Sequence, residues 1–375
     1  MEDSGTERER GGAMSTVLVI GAGDMGERLA AGLAGHAAVR RLLLTGRSEA
    51  TVTDAAVTVA SGHDCLVEPL VLDAARTDDV ASLLASRAPD LVVLCASRRG
   101  PWELIDRRDA AAEAVGSAGL ALRLPYQLAV PLAVMRAVER TGYSHPVANL
   151  SFPDLTGPVL AALGLAPTLG LGNAGMIQLR ARAAWRAEHP EAPAPPLIRV
   201  IAHHAQVFDV MRARPPARRD ERARIYRDES GWRDDDLGYR APALEPGVRY
   251  NHATAAAALP VLGALLPGAR PLRCSTAAPH GLPGGYPVRI ADRTVSLDLP
   301  AHVPVADALA FNQRSGRGDG VERIDADGTV HFTAAARTAV AGIAAELADP
   351  LRVDALDARA ALLDEVLRRP QPQPA

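Results

Sequence analysis

The sequence predicts an α/β protein, with a parallel sheet built by the N-terminal half and a C-terminal α+β half. Three observations carry this. An apolar run ending at Ile20 leads straight into Gly21, Gly23 and Gly26, and an amphipathic helix with Leu29 and Leu33 follows. Short apolar runs at residues 39–44, 66–72 and 91–95 then alternate with helix-forming segments, the pattern of successive βαβ units. Beyond residue 270 the pattern changes to paired strands joined by tight turns, at Asp292 and Arg293 and again at Asp327 and Gly328. With 375 residues, 48% of them hydrophobic, the chain has core material for both halves.

The glycine run is the most specific element. After a strand, the first glycine of Gly-x-Gly-x-x-Gly makes the tight turn, the second lets the backbone approach a diphosphate, and the third lets the helix pack on the strand. Asp24 and Met25 open the helix, so its N–H groups and positive dipole end face that diphosphate. This defines a Rossmann-type, dinucleotide-binding domain over residues 14–173. The second strand ends without a carboxylate to accept ribose hydroxyls, and Arg47 with Ser48 favours NADP, with NAD as the alternative. Asp73 closes the third strand at the adenine edge, and Ala96 follows the fourth.

Arg98, Arg99 and Trp102 lie in the next loop, at the carboxyl end of the sheet, where a guanidinium can grip a substrate anion through two parallel bonds. Arg98 or Arg99 is the candidate contact. Helices at 108–117 and 128–140 flank an apolar stretch at 120–124, and a fifth strand at 146–150 carries Asn149. A helix at 155–163, a short strand with glycines, a long helix bearing Arg180 and Arg182, and a proline-rich linker lead to a strand at 197–204. That strand ends in His203 and His204. Residues 207–249 are charged and irregular, which suits solvated surface. A helix at 252–266, strands at 272–275 and 286–299, His280 in a glycine-rich loop, and helices at 306–313, 333–347 and 354–368 complete the chain. The expected organisation is a flexible extension at 1–13, the nucleotide domain, an α+β substrate and catalytic domain at 174–350, a C-terminal helix at 351–369 and a disordered tail at 370–375.

Composition removes several classes of chemistry. A net charge of −3 and 3% aromatic residues give neither a basic field nor stacking platforms for nucleic acid. Three cysteines without metal-type spacing predict no metal site and suit a cytoplasmic protein, and neither a signal peptide nor a membrane span is expected. All 41 basic residues are arginine. Without lysine, Schiff-base chemistry, a phosphate-loop lysine and a Tyr-x-x-x-Lys pair are impossible, so a proton shuttle must use histidine, tyrosine or a carboxylate.

Taken in order, the glycine turn, the arginine-bearing loop, Asn149 at a strand end, Gly170 and Gly172, Arg180 on a helix and a histidine-ended strand resemble the lactate/malate dehydrogenase superfamily. The resemblance implies an NAD(P)-dependent dehydrogenase or reductase acting on a small anionic substrate, with a homo-oligomer allowed. It implies His204 as the acid/base, His203 as the alternative, Asn149 beside the nicotinamide and substrate, and Arg180 with Arg98 holding the anion. Met176 and Ile177 stand where the family places the aspartate that orients the histidine, which leaves Asp154 or Asp209 to supply one. The NAD-dependent glycoside hydrolase branch implies a second reading, in which the cofactor is an internal redox catalyst in a lyase or hydrolase cycle. Gly172 replaces the metal-binding cysteine of that branch. A third reading is a sensor that binds NADP without turnover.

Overall fold

The computed structural model describes residues 14–368; the expected extension at 1–13 and tail at 370–375 lie outside the described residues. The N-terminal half runs β1 (Ser15–Ile20), α1 (Asp24–Ala34), β2 (Val39–Gly46), α2 (Glu49–Ala60), β3 (Leu66–Val71), α3 (Thr77–Arg87), β4 (Leu91–Leu94), α4 (Ala110–Ser117), α5 (Leu124–Thr141), β5 (Val147–Asn149), α6 (Pro153–Ala162) and β6 (Leu169–Gly170). These six strands pair in parallel in the order β3-β2-β1-β4-β5-β6. Strand order reverses between β1 and β4, and the carboxyl ends of these two strands open the crevice where such sheets take ligands.

The second half comprises α7 (Ala174–Glu188), β7 (Ile198–Ile201), α8 (Val207–Met211), β8 (Arg224–Arg227), β9 (Trp232–Arg233), α9 (Tyr250–Ala264), β10 (Leu272–Ala277), β11 (Gly285–Ala291), β12 (Thr294–Leu297), α10 (Val305–Ser315), β13 (Val321–Ile324), β14 (Val330–Phe332), α11 (Ala334–Ala341) and α12 (Leu356–Arg368). Strands β10, β11 and β12 continue the parallel sheet as antiparallel neighbours, through a pairing of Ala277 with Gly170. Strands β7, β8 and β9 form a separate antiparallel sheet, and β13 with β14 is a hairpin.

Side chains of β1 alternate between two cores, as strand geometry requires. Leu18 and Ile20 pack on one face with α3, α5, β14, α11 and α12, through residues such as Val80, Val134, Phe332, Val340 and Leu363. Val17 and Val19 pack on the other with α1, α2 and α9, through Leu29, Val52 and Leu262. The core therefore crosses the boundary expected at residue 173, because the C-terminal elements return to both faces of the first sheet.

Several local expectations change. Residues 120–124 are not a separate extended stretch: Leu120–Arg123 form a 3-10 turn that runs into α5, whose first turn accommodates Pro125. The charged stretch at 207–249 hides α8, β8 and β9; its arginines pair with nearby acids while Ile225 and Tyr226 are buried. The helix expected at 333–347 stops at Ala341, beside Gly342, although Thr333 caps it by accepting the Ala336 N–H at 3.2 Å. The turn joining β11 and β12 has positive φ at both Asp292 and Arg293, as a two-residue hairpin turn of the primed type needs.

Candidate functional site

A cavity of about 880 Å³ lies along the carboxyl ends of the parallel strands, from the ends of β2 and β3, past the glycine turn, to His204. Gly21, Gly23, Asp24, Met25, Gly26, Arg47, Ser48, Asp73 and Ala96 all line it. Gly21 has φ 113°, and a Cβ on Gly26 would lie 1.7 Å from the Gly21 carbonyl oxygen, so neither position accepts a side chain. A Cβ on Gly23 would meet nothing within 4 Å. No side chain caps α1, which leaves the N–H groups of its first turn free for an anion. The Asp24 carboxylate is held aside, accepting from Arg28 at 2.7 and 2.9 Å and from Asn251 at 2.7 Å; the Arg28 bonds keep it below the usual carboxylate range. Arg47 is exposed and makes no ion pair among the described residues, and Ser48 caps α2 by accepting the Thr51 N–H at 3.3 Å. Room at Gly23, an uncapped helix start and an unpaired arginine fit a dinucleotide.

At the other end, β7 stops at Ile201 and residues 203–206 curl into a 3-10 turn. Strand alternation would send His203 and His204 to opposite sides; the curl instead brings both imidazoles onto one carboxylate. Nδ1 of His204 lies 3.1 and 3.2 Å from the two oxygens of Asp319, and Nδ1 of His203 lies 3.0 Å from one of them. An ionised carboxylate only accepts, so the His204 Nδ1 donates to it, while the His203 Nδ1, beside the same carboxylate, also meets the Ala205 N–H at 3.3 Å. His203 is 2% exposed and does not line the cavity, whereas the His204 side chain is 15% exposed and does. With Nδ1 committed, Nε2 is the His204 nitrogen left for a ligand.

Asp319 is 4% exposed. Burial pushes its carboxyl up, but the charge of His204 and the hydrogen bonds from both imidazoles outweigh that and hold it well below the carboxylate range. Burial pulls His203 down, and its bond to Asp319 more than reverses this, so it titrates above an ordinary imidazole. Neither Asp154 nor Asp209 orients the ring. Asp154 accepts the backbone N–H of His204 at 2.6 Å, fixing the main chain, and burial raises its own carboxyl. Asp319 arrives on a 3-10 turn, Gly316–Asp319, pressed against the start of the turn that carries Arg123: a Cβ on Gly320 would lie 2.2 Å from the Ala118 oxygen. Sequence reasoning missed Asp319 because 115 residues separate it from His204; its setting between Gly318 and Gly320 was the available signal.

Arg123 was also missed. Its guanidinium lies 5.5 Å over the Phe152 ring, donates from Nη1 to the Pro101 oxygen at 3.0 Å, and leaves Nε buried without a partner. It lines the cavity and makes no ion pair among the described residues, although the charge of Asp319 acts on it from farther off.

Several other candidate residues are placed elsewhere or spent. Asn149 is 1% exposed and outside the cavity; its amide donates to Thr156 at 3.0 Å and accepts the Ser151 N–H at 2.9 Å, holding the turn after β5. Leu150, Ser151 and Phe152 reach the cavity in its stead. Arg180, one turn beyond Met176 on α7, does not line the cavity; its guanidinium donates to the Pro242 carbonyl and its Nε is buried without a partner. Arg98 lines the cavity, yet its guanidinium is paired with Asp357 of α12, and Arg99 is paired with Asp364 at 2.8 Å and Glu103 at 3.0 Å. His280 is exposed, with Nε2 2.9 Å from the Val295 oxygen, and does not line the cavity.

No protein-family model matches the chain, and no curated protein matches it. Among solved structures it is similar to a lactate dehydrogenase from a Medee basin deep-sea metagenome library, at 12% identity and TM-score 0.48, covering 82% of this chain and 97% of that one. It is similar to the lactate dehydrogenase of Cryptosporidium parvum, solved with lactic acid and nicotinamide adenine dinucleotide, at 14% identity and TM-score 0.48, covering 95% and 99%. It is also similar to the apo malate dehydrogenase of Picrophilus torridus, at 13% identity and TM-score 0.47, covering 95% and 99%.

Proposed function

We propose that the protein is a nicotinamide-dependent oxidoreductase, NADP being preferred, that interconverts a carbonyl and a hydroxyl on an anionic substrate with His204 as acid and base. The observation that carries this reading is a single cavity holding both an open dinucleotide turn and an imidazole backed by a buried carboxylate. The N–H groups opening α1 would hold the diphosphate, with Arg47 and Ser48 beside the adenine ribose. A reduced nicotinamide bound there supplies hydride to the carbonyl carbon.

His204 gives the matching proton from Nε2 to the carbonyl oxygen and takes it back in the reverse direction. Asp319 keeps the Nδ1 hydrogen in place throughout, which fixes the tautomer and stabilises the imidazolium. Phe152 and Phe208 flank the ring, at 6.1 and 5.6 Å between centroids, and cover part of it with hydrocarbon.

Absorbance at the reduced nicotinamide band, read with a panel of carbonyl acids, tests the reading. His204→Gln is expected to lower kcat by about 10²–10⁴-fold while cofactor affinity stays unchanged. Undiminished kcat in that variant refutes the role of His204. Product without net absorbance change supports an internal redox cycle, and cofactor binding without any turnover supports a sensor.

A further inference from the structure

The chain is poor in aromatic residues, with four phenylalanines, three tryptophans and six tyrosines. Half of those phenylalanines, one tryptophan and one tyrosine meet at the His204 end of one cavity. Phe208, Tyr250 and Trp102 form a continuous wall. Phe208 packs edge-on to His204, Tyr250 lies 5.9 Å from Phe208, and Trp102 lies 5.8 Å from Tyr250 at an interplanar angle of 88°. Their polar tips are spent elsewhere: the Tyr250 hydroxyl donates to the Leu244 oxygen at 3.0 Å, and the Trp102 N–H donates to Asn251 at 3.2 Å. What this wall offers a ligand is hydrocarbon ring surface.

On the other side of His204 stand Phe152 and, over its ring, Arg123. Its guanidinium has one nitrogen buried and unpartnered and makes no ion pair among the described residues; only the charge of Asp319, already bonded by the histidines, acts on it from farther off, which leaves the cation incompletely compensated. Burial pulls its proton affinity down, which an anion arriving beside it would reverse. His204 thus sits between an anion-seeking cation and an aromatic wall.

Resting on the reading of His204 as the acid/base, we infer that the substrate is an aryl-bearing oxo acid or its hydroxy counterpart: acid group on Arg123, carbonyl at His204, ring against Phe208, Tyr250 and Trp102. Compact acids of two to four carbons leave the wall uncovered. The chemistry balances as a two-electron reduction, in which the carbonyl carbon gains the hydride, its oxygen gains the His204 proton, and the cofactor leaves oxidised.

Equilibrium binding to the protein saturated with NADP tests this without needing turnover. Calorimetry compares 3-phenylpropionate, propionate and 3-phenylpropanol. The expected result is 3-phenylpropionate bound at least tenfold more tightly than either of the others. Phe208→Leu should erase most of the advantage over propionate, and Arg123→Gln most of the advantage over the alcohol, each with the wild-type circular dichroism spectrum. If a variant fails to fold, the wild-type comparison alone decides. Equal affinity for 3-phenylpropionate and propionate, as when the rings serve only the nicotinamide, overturns the proposal, and so does failure of all three to bind. Selective binding joined to a complete absence of turnover with phenylpyruvate leaves this inference standing and removes the oxidoreductase reading.

Discussion

Two histidines on one aspartate set the behaviour of the site at the level of single residues. Asp319 is depressed, so the stability it contributes is present above its unfolded value of 3.8 and is lost as pH falls below that. His203 is raised, so its contribution is fully present below 6.5 and is lost as pH rises through its higher folded value. Asp154 acts oppositely, because its raised carboxyl favours the folded state less as pH climbs past 3.8. The Asp319 contribution is therefore read as the difference between wild type and Asp319→Asn. That difference is expected to be largest between about pH 4 and 6.5 and to amount to about 3–5 kcal/mol in denaturant unfolding, since the buried His203 and the partly buried His204 both lose the carboxylate beside them. A difference that is flat with pH would count against ionised Asp319. His204 was legible as a histidine at a strand end, but its carboxylate was not, because contacts across 115 residues leave no local pattern. Asn149 misled for the converse reason: the residue type is right for a ligand contact, and only the fold shows its amide occupied by Ser151 and Thr156.

Among the elements, the glycine turn makes the sharpest distinction between folding and binding. Gly23 has φ −79°, and a Cβ there would have no neighbour within 4 Å, so Gly23→Ala should keep the wild-type melting temperature within about 2 °C. It should still weaken NADPH binding at least tenfold, because the methyl occupies the approach to the diphosphate. Gly26→Ala should fail in both respects, its Cβ falling 1.7 Å from a backbone oxygen. A fluorescence titration of reduced cofactor alongside thermal melts checks both variants. At the end of β2, Arg47→Ala should lower the ratio of NADPH to NADH affinity by about tenfold, the loss of one charge-assisted phosphate contact; an unchanged ratio would assign the arginine to the surface. This turn was readable from sequence because every constraint on it is local. Strands β8 and β9 were not, since Arg224 and Arg227 flank only two buried residues and the run reads as charged loop.

The whole molecule ties the loop after β4 to α12. Arg98 is paired with Asp357, Arg99 and the Tyr126 hydroxyl with Asp364, and Arg107 with the Leu367 oxygen, all on α12. The same helix buries Leu363 and Val366 in the core beneath the sheet. Removing residues 353–375 should therefore abolish cooperative unfolding, whereas Asp364→Ala should leave the fold and raise KM by loosening the loop. The change from parallel strands to hairpins beyond residue 270 was legible in the sequence. The return of α11 and α12 to the first sheet was not, because an amphipathic helix carries no sign of which surface it will meet. The central claim is that the coenzyme on the glycine turn and the His204–Asp319 pair serve one reaction centre. A crystal structure with bound NADPH tests it most directly: the claim requires the diphosphate on the N–H groups of residues 24–26 and the nicotinamide C4 within one substrate's width of His204 Nε2. A nicotinamide directed away from His204, with the diphosphate still on the turn, would contradict it.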